Sequence, residues 1–321
     1  MKKKVNDILG EYKTKLTTLL NPPYSGIKTF FRAPYKKNLN DIDIALIGLP
    51  YDIAVTNRPG ARFAPQEVRA YSSSIGAYNH QLKMSPFKKS RIADVGDMIL
   101  KNIYSMERAI KEIEKFYKKI VSKGIIPLTC GGDHSITYPI LKAVGEREPV
   151  GLIHFDSHCD TTDEISGSML QHGSPFYNAV NSGVIDPKRT VQIGIRGQDE
   201  NIWQFSYDKG ISVIHIEEFY EMGWNKVVET VKDVIGEGPV YVSFDIDFLD
   251  PAYAPGTGTP EVGGATTFEA QQVLRGLKGL NVVGGDVVEV SPPYDHAGIT
   301  CMAAASMMAE ILCLISYNLS K

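Results

Sequence analysis

Close cysteine pairs are missing from this sequence. Its four cysteines, Cys130, Cys159, Cys301 and Cys313, stand far apart and form no CxxC. That argues against a disulfide framework or a zinc knuckle as the source of stability, and it suits a reducing cytoplasm. A positive excess is missing as well. Thirty-four basic against 37 acidic side chains leave a net charge of −3, so no global field favours nucleic acid. Residues 1–20 open with lysines and then mix polar and apolar positions, without the ~7–15 apolar residues of an export signal. One stretch, Ile299 to Tyr317, approaches the ~18 apolar residues of a membrane span. Glu310 interrupts it, and Ala and Ser are frequent, so a helix buried against a sheet or a partner subunit is expected rather than a membrane contact. No internal repeat, low-complexity tract or interdomain linker is apparent.

What is present is the composition of an ordinary globular chain. Of 321 residues, 43% are hydrophobic and 22% charged, with 29 Gly and 18 Pro. Short β-branched runs alternate with helical patterns, which predicts βαβ units and a mainly parallel sheet. Strands are expected at Ile44–Gly48, Ile125–Thr129, Val150–His154, Val191–Ile195, Val213–Ile216, Val240–Phe244 and Val282–Val290. Between them, Ser105 is placed to cap a helix carrying Ile110, Ile113, Tyr117, Ile120 and Val121 on one face, with Gly124 as its stop. A second helix spans about Asn225 to Ile235 and ends at Gly236. Thr266 and Glu269 have the spacing of a capping box before a third. The domain reading is an N-terminal extension, 1–40, followed by one catalytic α/β domain, 41–321.

Ligand-type residues concentrate in three loops. After the strand Val150–His154 comes Phe155-Asp156-Ser157-His158-Cys159-Asp160, where alternation puts Asp156, His158 and Asp160 on one side of an extended segment. They would meet beyond a strand's carboxyl end, where open α/β sheets bind ligands. Asp245 and Asp247 repeat the design before a turn at Asp250-Pro251. Gly131-Gly132-Asp133-His134-Ser135 adds a histidine and two glycines; Asp133 can equally serve the turn by accepting backbone amides. So many acids in one pocket would repel one another without cations. The set exceeds what one tetrahedral zinc needs and lacks thiolates, so two divalent ions are inferred, Mn²⁺ first, with Ni²⁺, Co²⁺ or Zn²⁺ possible. Cys159 is expected to point away and pack.

Together with Asn57-Arg-Pro-Gly-Ala-Arg62, His172-Gly-Ser-Pro-Phe176, Gly256-Thr-Gly-Thr-Pro260 and Asp286-Val-Val-Glu-Val290, these segments resemble the ureohydrolases, which comprise arginases, agmatinases and related guanidino-compound hydrolases. The likeness runs from about Ile44 to the C-terminus and is nearer the agmatinase and guanidinobutyrase branch. It implies an arginase-like three-layer α/β/α fold, two Mn²⁺ per chain and hydrolysis of a guanidinium to urea and an amine. By the same resemblance His134 and Asp160 bind one ion, His158 and Asp247 the other, and Asp156 and Asp245 bridge both. Asp160 would relay a proton to the leaving amine, Glu289 would hold the guanidinium through paired hydrogen bonds, and His172 would shuttle protons to solvent. A homotrimer or homohexamer is implied too, with the Ile299 to Tyr317 helix as one candidate packing surface. His80, His154, His215 and His296 fall outside the matched metal motifs and are read as structural or surface residues.

The resemblance leaves the substrate tail open. Where arginases carry a serine-glycine-asparagine stretch, this chain has Ser166-Gly167-Ser168, which disfavours arginine. Asp163 and Glu164 could face the distal amine of agmatine, the substrate expected first. Arg58, Arg62 or Arg196 could instead face the carboxylate of 4-guanidinobutyrate or 3-guanidinopropionate. Two readings of other classes remain: a two-metal phosphoesterase, which would want a cationic clamp the motif loops lack, and a non-catalytic, metal-stabilised interaction protein.

Overall fold

The computed structural model describes residues 22–164, 166–197 and 200–319. Its eight described strands form a single sheet. In chain order they are β1 (Ile44–Gly48), β2 (Ile92–Asp97), β3 (Ile126–Cys130), β4 (Val150–Phe155), β5 (Ile185–Ile195), β6 (Ser212–His215), β7 (Pro239–Asp245) and β8 (Asn281–Val288). The spatial order is β2-β1-β3-β8-β7-β4-β5-β6, and every pairing is parallel. The longer helices are α1 (Ala64–Ser72), α2 (Met106–Val121), α3 (Thr137–Val144), α4 (Pro175–Asn181), α5 (Glu200–Lys209), α6 (Ile216–Ile235), α7 (Thr267–Gly276) and α8 (Ile299–Asn318).

Strand alternation sorts side chains between two cores, one on each sheet face, which produces the expected α/β/α layering. Leu46, Ile153, Val242 and Phe244 enter one core with α1, α6, α7 and α8. Ile47, Leu152 and Tyr241 enter the other with α2, α3 and α4. On α2 most of the predicted stripe is buried: Ile110, Ile113, Tyr117 and Ile120 face inward, each contributing about 1.5–3 kcal/mol by burial, while Val121 at its end is only half-buried.

Several local expectations need correction. The edge strand β2, Ile-Ala-Asp-Val-Gly-Asp, was not expected, because its acids and glycine break the β-branched pattern. Ser105 occupies the N-cap of α2 but accepts no backbone amide; its hydroxyl donates to Glu107 instead. Helix α6 begins at Ile216, well before Asn225, and crosses a non-helical Gly223 (φ 70°). The Thr266–Glu269 capping box is present in both directions. Helix α8 is a core helix: 78% of its most apolar window is buried within the chain, and Glu310 is neutralised by Arg275 at 2.9 Å. Burial against β8, α1 and α7 removes most of it as a surface for another subunit.

Part of the 1–40 segment packs onto the sheet edge. Phe30 is fully buried, its amide donates to Asp94 on β2 at 2.9 Å, and Arg69 of α1 both pairs with Asp94 and lies over the Phe30 ring. Residues 1–21 lie outside the described residues.

Candidate metal centre

Four neighbouring strands at the centre of the sheet, β3, β8, β7 and β4, each deliver site residues from their carboxyl ends. Beyond β3 lie Asp133 and His134, beyond β8 Glu289, at the end of β7 Asp245 and Asp247, and beyond β4 Asp156, His158 and Asp160. The chain passes close here because it lacks a side chain at Gly132. A Cβ there would sit 1.7 Å from the Tyr51 carbonyl oxygen.

His134 Nδ1 is ringed by carboxylates: Asp160 Oδ2 at 2.9 Å, Asp156 Oδ2 at 3.2 Å and Asp245 Oδ2 at 3.2 Å. The hydrogen-bond network assigns its tautomer. Ser243 Oγ donates to Asp286 Oδ1 at 2.7 Å, so that hydroxyl accepts from His134 Nε2 at 2.8 Å. In the neutral ring the proton therefore sits on Nε2, and Nδ1, the nitrogen left to take a cation, faces the three acids. This nitrogen is buried and has no hydrogen-bond partner, an arrangement that costs free energy unless a cation fills the gap.

A second focus lies beside the first. His158 Nδ1 is 3.1 Å from Asp247 Oδ2 and 3.5 Å from Asp156 Oδ1. Backbone amides hold the far carboxylate oxygens: His158 N–H donates to Asp156 Oδ1 at 2.6 Å and Asp247 N–H to Asp245 Oδ1 at 2.9 Å. Ser157 donates to Asp247 Oδ1 through both its amide and its hydroxyl. These groupings do not arise from simple strand alternation. The strand stops at Phe155, Asp160 turns into the left-handed region (φ 52°), and Asp247 sits in a 3₁₀ turn after Asp245. Glu289 is left-handed too (φ 60°), so two non-glycine site residues each carry strain of about 1–3 kcal/mol.

Electrostatics point the same way. Burial, then the charges of Asp247 and Asp156, push the Asp245 carboxyl well above the usual range, and burial followed by Asp156 raises Asp247. Burial alone would raise Asp156, yet His154, His134 and His158 outweigh it and hold that carboxyl low. Burial would lower His134 and His158, but the surrounding carboxylates raise both well above the ordinary imidazole value. The cluster calls for added positive charge, which the two imidazoles alone do not supply.

Glu289 and His172 adjoin this centre. Glu289 Oε1 accepts from the His134 amide at 2.8 Å and faces His172 Nδ1 at 3.0 Å, while buried Oε2 has no partner. Only Oε2 is therefore free, so paired bonds to a guanidinium would have to share Oε1. On the other side of its ring, His172 Nε2 meets the Thr56 amide at 3.1 Å and the Thr56 hydroxyl at 2.7 Å. Burial disfavours the charged ring, but Glu289, Asp160 and Asp133 outweigh it and raise His172 to about 9.

Asp133 is a turn residue, accepting the Ser135 and Ala54 amides. Cys159 is buried packing, its thiol pushed up to about 11 by burial. Arg196 is removed from the tail candidates, since its guanidinium is spent on the carbonyls of Gly194, Asp247, Phe248, Glu261 and Val262. Arg62 is committed to Asp52. His154, expected to be a structural or surface residue, is buried beside the centre, with its Nε2 2.7 Å from Asp156 Oδ2. The signal was available, because His154 shares the parity of Asp156. His154, His134 and Asp156 could by distance alone form a ligand group, but the bonding of the other His154 nitrogen argues otherwise, as set out below.

A parallel sheet with a buried imidazole and carboxylate cluster at its strand ends, compatible with a binuclear metal site, defines a class of three-layer metal-dependent hydrolases. Residues 42–314 match the model of the Arginase family, and the chain belongs to that family. It is 46% identical to a guanidinopropionase of Pseudomonas aeruginosa over 94% of this chain and 95% of that protein. It is also 46% identical to a mitochondrial agmatinase of Gallus gallus, over 90% and 86% respectively. Among solved structures, a proclavaminate amidino hydrolase from Streptomyces clavuligerus superposes with a TM-score of 0.89 at 38% identity, covering 94% of this chain and 100% of that one.

Proposed function

We propose that this chain hydrolyses a linear guanidino compound, R–NH–C(NH₂)₂⁺ plus water giving R–NH₃⁺ plus urea. The observation that carries the reading is the orphaned Nδ1 of His134, aimed at three carboxylates, with the unpartnered Oε2 of Glu289 in the same site. His134, Asp156, Asp160 and Asp245 would hold one divalent ion, and His158, Asp156, Asp245 and Asp247 a second. The mixed oxygen and nitrogen donors suit Mn²⁺ first, then Ni²⁺, Co²⁺ or Zn²⁺. When bound, such ions lower the pKa of water toward neutrality and so supply a nucleophile.

The chain's own groups do the rest. Glu289 Oε2 receives a guanidinium N–H and orients the electron-poor carbon. Asp160 offers a proton to the departing amine, whose expulsion from the tetrahedral adduct requires it. His172 lies between buried Glu289 and exposed Thr56. Neutral, its Nε2 accepts the Thr56 amide; protonated, the same nitrogen can donate to the Thr56 hydroxyl. A ring with a partner in either state is fitted to carry protons outward.

Agmatine is the first reading for the substrate. Asp163 and Glu164 are exposed in the loop between Asp160 and His172, and neither is ion-paired among the described residues. A second reading has its own observation. With Arg62 and Arg196 committed, Arg58 remains: it stacks 5.2 Å from the Tyr294 ring centre, and its backbone flanks Gly258, as does Glu289 Oε2. That arginine could receive the carboxylate of 4-guanidinobutyrate or 3-guanidinopropionate, and the guanidinopropionase relative favours it. The spent guanidinium of Arg196 weakens the phosphoesterase reading, since among the described residues no free cation beside Asp247 is left to clamp a phosphate. We place the protein in the cytoplasm as a homotrimer or homohexamer, with light scattering as the check on assembly.

Urea release from agmatine, both guanidino acids, arginine and guanidine tests the reading. Strong release from agmatine alone supports the first tail assignment. A dominant guanidino acid replaces it with the second, and no urea from any of the five overturns the reaction class.

A further inference from the structure

Beneath the metal centre a polar row crosses the sheet. In register, Thr129 of β3 pairs with Asp286 of β8, Asp286 with Ser243 of β7, Ser243 with His154 of β4, and His154 with Gln192 of β5. All five side chains are fully buried. Five consecutive polar residues in the interior of a parallel sheet are costly unless each is satisfied. One half of the row, Asp286 and Ser243, sets the tautomer of His134.

The other half has a direction that can be worked out atom by atom. The Cys159 carbonyl can only accept, so the Gln192 group facing it is the amide nitrogen. The Gln192 carbonyl oxygen then faces Ser206 on α5, whose hydroxyl donates to it at 2.7 Å. The second Gln192 N–H points at His154 Nδ1, 3.2 Å away, which makes Nδ1 an acceptor. The His154 proton must sit on Nε2, where it donates to Asp156 Oδ2. His154 is thus turned from a possible ligand into a donor. Asp156 is pinned from both ends, by the His158 amide on Oδ1 and by His154 on Oδ2.

We propose that Gln192 and His154 are positioning residues that orient the carboxylate of Asp156 as a bridge between two metal sites before any cation arrives. The proposal rests on the metal-centre reading above. Outer-shell donors of this kind typically hold about 10–100-fold in metal affinity. A residue that only filled space at this position would change stability without changing that affinity.

Mn²⁺ titration into metal-free protein by calorimetry, alongside thermal melts of the metal-free forms, tests it. His154→Phe should weaken Mn²⁺ binding by about 10–100-fold while keeping the wild-type stoichiometry. His154→Gln, whose amide N–H can stand in for Nε2–H, should recover most of that loss. Gln192→Met should weaken binding less, and should add nothing on top of His154→Phe. Should His154→Phe fail to fold, His154→Gln and Gln192→Met carry the comparison. Wild-type Mn²⁺ affinity in Gln192→Met and His154→Phe overturns the proposal, as does the loss of one Mn²⁺ equivalent in His154→Phe, which would make His154 a ligand. Failure of the wild type to take up Mn²⁺ would overturn the metal-centre reading itself, and this proposal with it.

Discussion

His172 Nδ1 lies 3.0 Å from Glu289 Oε1, with the ring buried and its far nitrogen against exposed Thr56. This contact makes a prediction for metal-free protein, in which Glu289, Asp160 and Asp133 raise His172 from 6.5 to about 9. A raised imidazole stabilises the fold fully below its unfolded value and loses that contribution as pH rises through the folded one. Relative to His172→Gln, the wild type should therefore lose on the order of 3 kcal/mol between about pH 6.5 and 9, read by urea denaturation across that window. Parallel curves for the two proteins would refute it.

With metal present, His172→Ala should lower kcat more than it raises KM, and added imidazole should restore part of the rate. An unchanged kcat removes the shuttle role.

Ionising Asp245 costs stability, because burial and the neighbouring charges of Asp247 and Asp156 raise its carboxyl. Asp245→Asn should make the metal-free protein more stable wherever that carboxyl is ionised, an advantage that shrinks as pH falls from the folded-state value toward the ordinary carboxylate range. The same variant should lose urea-forming activity and most of the Mn²⁺-induced stabilisation, which in wild type should reach about 2.7 kcal/mol at a hundredfold excess over Kd. Thermal melts with chelator and with Mn²⁺ separate the two effects; a fully active variant would contradict the bridging assignment.

Glu289→Gln keeps shape and removes charge at a buried carboxylate with an unpartnered oxygen. Its kcat/KM should fall by a factor that corresponds to at least about 1.5–3 kcal/mol of lost transition-state stabilisation, similar for every guanidino substrate because the reacting group is common to all. A loss confined to one substrate would show that Glu289 reads the tail instead.

Arg196 and Arg58 should behave oppositely. Arg196 donates to five backbone carbonyls around Asp247 and Glu261, so Arg196→Met should cost at least about 3 kcal/mol of stability with no preference between amine and acid substrates. Arg58→Met should leave stability nearly unchanged and raise KM for guanidino acids alone. Denaturation curves and a substrate panel check both; if Arg58→Met raises KM equally for agmatine, Arg58 has no role in reading the carboxylate.

The parts that could be read from the chain are those whose physics is local. A buried parallel strand must be apolar on both faces, so Ile44–Gly48 and Val240–Phe244 stood out. A capping box needs only Thr266 and Glu269, three residues apart, and the acids at 156, 160, 245 and 247, with the histidine at 158, cluster within short loops. The edge strand β2 escaped because its residues serve other ends: Asp94 anchors Arg69 and Phe30. Arg196 looked like a free cation until folding surrounded it with carbonyls. Which nitrogen of His134 or His154 carries its proton could not be read at all. That depends on the spatial order β3-β8-β7-β4-β5, which brings residues 129, 286, 243, 154 and 192 into one row although they are scattered along the chain. Hydrogen-bond direction is set by neighbours in space, and in a parallel sheet those neighbours come from crossover connections rather than from adjacent sequence.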